Sequence, residues 1–123
     1  MRTIPEMNAN DLSVCLCKMA DPAERLLSDE AVREAIDNMR EHLKDKVTVE
    51  KAFSLFTTIL YPVLAGDAHK DDTFAVLAAL DDVTVDEIGG RNGLEVMRDI
   101  FRAFVINTEI VTIFRPCAEV RGE

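Results

Sequence analysis

The chain has 123 residues, of which 48% are hydrophobic, and its 23 acidic against 14 basic residues give a formal net charge of −9. That length suits one domain, and the apolar share excludes a wholly disordered chain. The acidic balance, without a Lys/Arg cluster, argues against nucleic-acid binding by counterion release and against docking on an anionic membrane.

Five glycines and four prolines supply few turns for an all-β fold, so helices are expected. Residues 1–9 read as a loose arm. The first predicted helix runs from Asp11 to Ala20 with Asn10 or Asp11 as cap, and Leu12, Cys15, Leu16 and Met19 line one face. Residues two apart on a helix point roughly 200° away from each other, so Cys15 and Cys17 cannot share a metal there. With Cys117 they make an odd count without disulfide-framework spacing, which reads as free thiols in a reducing compartment. Asp21-Pro22 is expected to restart the chain, since aspartate caps and proline suits a first helical position.

A second predicted helix, Glu30 to Lys44, opens at Ser28 or Asp29 and turns Val32, Ile36, Met39 and Leu43 toward a core. Thr48 caps a third, in which Phe53, Phe56, Ile59, Leu60, Val63 and Leu64 form a broad face widened by Val49, Ala52 and Leu55. This is expected to be the central, most buried helix. Pro62 predicts a kink or stop near Leu60, and Gly66 a terminator.

Asp72 is the predicted cap of a helix ending at Leu80. Thr84 and Glu87 form a capping box for a short turn, Val85 to Ile88, stopped by Gly89-Gly90. The next helix, Leu94 to Ile106, carries Met97, Ile100, Phe101, Phe104 and Val105 on one side. Asn107 and Thr108 re-cap a last turn bearing Ile110, Val111, Ile113 and Phe114, and Pro116 opens a polar tail over 116–123. The β-prone runs around Thr48, Thr84 and Ile110 are too short or too well capped to compete. The expected architecture is all-α, a single compact domain spanning 1–123 with six or seven helices.

Nothing in the pattern supplies a catalytic, cofactor or metal constellation. His69, in H-K-D-D, lacks a second histidine and reads as part of a solvated loop; His42 reads as a helix-surface residue. Asp71-Asp72 and Asp81-Asp82 fall at helix ends, where capping and turns account for them without general acid–base chemistry. Gly89-Gly90-Arg91-Asn92-Gly93 lacks both the spacing and the preceding strand of a phosphate loop. The apolar C-terminal residues Phe101, Phe104, Ile110, Ile113 and Phe114 remain. Two readings stand for them: core of a small bundle, or a partner-binding groove or self-association face. No apolar signal core opens the chain and no run reaches the ~18 apolar residues of a membrane span.

The stretch from Phe74 to Phe114 resembles the tail assembly chaperone family of long-tailed, siphovirus-type bacteriophages. The likeness lies in L-A-A-L (Leu77 to Leu80), V-T-V-D-E-I (Val83 to Ile88) and the G-L-E-V-M-R-D-I-F helix (Gly93 to Phe101). The family implies an all-α, non-enzymatic protein of the host bacterial cytoplasm, absent from the mature virion. It would shield the tape measure protein while tail tube subunits assemble, and in many relatives a frameshifted longer form recruits the tail tube protein. The chain's end at Glu123 would suit the unextended form. Self-association is a further expectation from an apolar face. The alternative reading is a generic acidic helical adaptor or inhibitor domain that binds a basic protein partner.

Overall fold

The computed structural model describes residues 2–114, and among these the chain forms eight α-helices and no strand. The longest, α1 (Ala9–Ser28), is capped by the Asn8 side chain, which accepts from the Asp11 N–H at 2.8 Å. It does not stop at Ala20. Pro22 lies inside it, buried with Cys15, Met19, Ala23 and Leu26 on the face that packs against α5 (Lys70–Asp81). An internal proline costs about 3 kcal/mol. Burying that whole stripe is worth several times as much, at roughly 1.5–3 kcal/mol per large apolar side chain.

The segment before α1 is anchored rather than loose. The Arg2 N–H donates to Asp81 Oδ1 at 3.1 Å, its guanidinium donates to the Leu80 carbonyl, and Ile4 and Met7 pack against the core. Between them runs a 3-10 turn, Ile4–Glu6, started by Pro5.

Asp29 caps α2 (Glu30–His42), accepting from the Val32 N–H at 3.1 Å, and the predicted stripe of Val32, Ile36 and Met39 is buried with Ala35. Thr48 caps α3 (Val49–Ile59), which breaks at Leu60 as Pro62 requires and continues as the short α4 (Tyr61–Leu64). The most buried helix is α5, not α3. It encloses Thr73 and the unbroken run Val76 to Leu80, and it touches α1, α6 (Val85–Gly89) and α7 (Gly93–Phe101). A helix apolar on all sides belongs in a core centre.

Asp72 is inside α5 rather than its cap; its carboxylate pairs with Arg25 at 2.8 Å, tying α5 to α1. The helix ends at Asp82, in the left-handed region at φ 56°, whose carboxylate meets Lys18 at 2.7 Å. Thr84 and Asn92 cap α6 and α7 through the N–H groups of Glu87 and Glu95. The helix predicted to run on to Ile106 changes pitch after Phe101. Arg102–Ile106 is a π-helical turn, closed by the Asn107 N–H on the Arg102 carbonyl at 2.8 Å, and α8 (Glu109–Ile113) follows.

Candidate partner-binding site

Four aromatic rings join α3, α4 and α7. Phe56 and Phe101 have centroids 5.3 Å apart, Phe53 and Phe101 5.2 Å, and Tyr61 leans on Phe56 at 5.7 Å. Phe56 is wholly enclosed, whereas Phe53 stays half-buried at the edge of this cluster. Above that edge α3 and the π-helical turn diverge and leave a depression of about 510 Å³.

Its wall on the α3 side is Val49, Glu50 and Phe53; the other wall is Arg98, Phe101, Arg102, Ile106 and Asn107. Val49 and Ile106 are 65% and 51% exposed, so two large aliphatic side chains stand in water on opposite rims. Val49 is the first residue of α3, directly after its Thr48 cap. Ile106 is the last residue of the π-helical turn, two residues after buried Phe104 and so on the opposite side from it. Arg98 and Arg102, one helical turn apart, are exposed along the same edge. Asp99 lies on the side of α7 away from the depression's apolar floor, 5% exposed and 3.6 Å from Arg102. Burial pushes its carboxyl above the usual aspartate range.

The structure divides the five C-terminal residues expected to form a partner surface. Phe101, Phe104 and Ile110 are core residues, Ile113 is 47% exposed and Phe114 is half-buried. Of the five only Phe101 borders the depression, as part of its floor. Phe104 and Ile110, expected at a partner surface, are instead enclosed and have almost no surface to offer, whereas Ile113 and Phe114 keep surface of their own on or beside α8, outside the cleft. Arg98, Arg102 and Ile106 carry no signal in the sequence that marks a site, and Phe53 reads there as one of the core residues of α3. Val49 there looked like extra core width on α3.

The remaining singled-out groups have structural partners. His69 is not solvated in a loop; it is half-buried, with Nε2 3.2 Å from Asp29 Oδ2. His42 is exposed, its Nδ1 2.9 Å from the Asn38 carbonyl. Asp81 takes Arg91 at 2.6 Å as well as the Arg2 N–H. Contact with Lys18 holds the Asp82 carboxyl below its ordinary range. Cys15 is buried and Cys17 exposed, consistent with opposite faces of α1, and burial raises the Cys15 thiol. Cys117 and the tail from Pro116 lie outside the described residues. Among the described residues no three His, Cys, Asp or Glu side chains are grouped to hold a metal ion, and no helix is long and apolar enough to cross a membrane. Compared with protein-family models, with curated proteins and with solved structures, the chain gives no match.

Proposed function

We propose that this chain is a tail assembly chaperone of a long-tailed bacteriophage, a non-enzymatic protein that covers an apolar stripe of the tape measure protein until the tail tube encloses it. The observation that carries the reading is the open cleft between α3 and the π-helical turn, with Val49 and Ile106 exposed on its rims and Phe53 and Phe101 beneath. Exposed apolar side chains around a concave floor favour burial by another polypeptide. The likeness of Phe74 to Phe114 to that chaperone family supplies the identity of the partner.

Many copies along one filament would bind through avidity, so each contact can be weak. A net charge of −9 would keep the coated filament soluble in the host cytoplasm. The tail tube protein would be recruited through a frameshifted longer form, and the chaperone would leave before the virion matures.

Co-expression with the tape measure protein tests this reading, with the soluble fraction of the latter as readout. The native chain should keep the tape measure protein soluble, and Val49→Asp combined with Ile106→Asp should abolish the effect. Both side chains are largely exposed, so the variant should keep its helicity. Undiminished solubilisation by a folded double variant would overturn the assignment of this cleft.

A further inference from the structure

The charge on the cleft rim runs against the charge of the molecule. On a chain of net charge −9, the α7 edge of the cleft presents two guanidinium groups, Arg98 and Arg102. Arg98 pairs with no acid among the described residues, and Arg102 has only Asp99, at 3.6 Å. Some other exposed bases are drawn into tight internal pairs, Lys18 with Asp82 at 2.7 Å and Arg25 with Asp72 at 2.8 Å, whereas Lys46, Lys51 and Lys70 have no ion pair among the described residues. The one acid lining the cleft, Glu50, is on the opposite wall.

The floor constrains the backbone of whatever sits there. Phe53, Phe101, Val49 and Ile106 line it with apolar side chains, the described residues contain no strand edge to extend, and the backbone groups at hand are the few at the start of α3 and the end of the π-helical turn. An extended segment pressed onto this floor would leave N–H and C=O groups unpaired, whereas a helix satisfies its own. Arg98 and Arg102 are spaced one turn apart, about 6 Å along the axis, the same interval as carboxylates four residues apart on a partner helix.

We propose that the cleft seats an amphipathic helix whose apolar stripe is flanked by carboxylates, and that Arg98 and Arg102 recognise those carboxylates. This rests on the reading that the cleft is a partner-binding face, and it names the chemistry of that partner. Arginine suits the role, since its fork can grip a carboxylate in two places and its stem adds apolar cover. The pairing would also fix the register of the helix, since like charges at the same rim repel.

The test uses the full chain and two synthetic helical peptides with the same leucine stripe, one flanked by glutamates and one by lysines, followed by fluorescence anisotropy. The glutamate peptide should bind more tightly, by about threefold to tenfold at low salt, as rim charge pairs allow. Its advantage should shrink as salt is raised, because the screening length falls to about 10 Å at 0.1 M. Arg98→Glu with Arg102→Glu should invert the order, and Arg98→Gln with Arg102→Gln should flatten it, which keeps the test open if the first variant folds poorly. Tighter binding of the lysine peptide to the native chain would overturn the proposal, as would a preference unchanged in both arginine variants. Binding of the lysine peptide that survives Val49→Asp with Ile106→Asp would locate it on the acidic exterior, against the proposal. The tape measure solubility experiment is independent of this result. Solubilisation lost in Val49→Asp/Ile106→Asp alongside a lysine preference would retain the function and reject the acidic helix. A glutamate preference without any solubilisation would do the reverse.

Discussion

Phe53 on α3 meets Phe101 on α7 edge to face, with ring centroids 5.2 Å apart and planes at 87°. Phe101 continues inward to Phe56, while Phe53 faces the cleft, so one aromatic contact both closes the core and floors the site. Such pairs add about 0.5–1.5 kcal/mol beyond area burial. The site is therefore only as well formed as the α3–α7 junction beneath it.

Phe104→Asp and Ile113→Asp should behave oppositely, although both positions belong to the same apolar C-terminal run. A carboxylate at buried Phe104 would be taken out of water among apolar side chains, at a cost of several kcal/mol against a total stability of about 5–15 kcal/mol. Thermal unfolding followed by circular dichroism should show a broad, early or absent transition. Ile113, 47% exposed, should tolerate the change to within about 0.5 kcal/mol. A cooperative, native-like melt for Phe104→Asp would contradict the packing described.

Thr73→Val should destabilise the chain by about 1–2 kcal/mol despite its near-equal volume. The buried Thr73 hydroxyl lies 2.8 Å from the Leu64 carbonyl and 3.0 Å from that of His69, serving the open end of α4 and the start of α5. Valine leaves the Leu64 carbonyl without that donor. Urea denaturation should show a lower midpoint at unchanged m-value, and Thr73→Ser should recover most of it.

Asp99 sets a pH dependence of definite sign. Burial raises its folded pKa, so the native state holds a proton that the unfolded state releases. Its contribution is therefore fully present below the ordinary aspartate pKa and is lost as pH rises through the elevated folded value. Asp81 and Glu95 reinforce the upward shift, and Arg102 opposes it. Asp99→Asn should remove this dependence, leaving the variant more stable relative to the native chain at neutral pH than in mild acid. The quantity to follow is the difference in Tm between the two proteins across that range. A difference that is flat with pH, or that grows toward acid, would show that Asp99 is solvated.

Much of the secondary structure was legible because its signals are local. Asp29, Thr48, Thr84 and Asn92 each sit where a cap is needed, with an N–H three residues on in reach of the side chain. Pro62 marks the break at Leu60 because a proline lacks the donor a continuing helix needs and is tolerated in the first turn of α4. Pro22 misled for the converse reason. Its local signal for a helix start was overridden by α5, against which the whole face from Cys15 to Leu26 is buried. The anchoring of Arg2 on Asp81 spans 79 positions and has no local signature.

By itself the sequence determined that this is an all-helical chain, where most helices begin, and that its surface is acidic, since capping, periodicity and charge act within a few residues. The tertiary structure decided which apolar side chains stay in water. Val49 reads in sequence as part of the same face as Phe56, and Ile113 as the equal of Ile110, yet Val49 and Ile113 are exposed while Phe56 and Ile110 are enclosed. Burial depends on what another helix places opposite a side chain, and nothing within a few residues of Val49 or Ile113 encodes that.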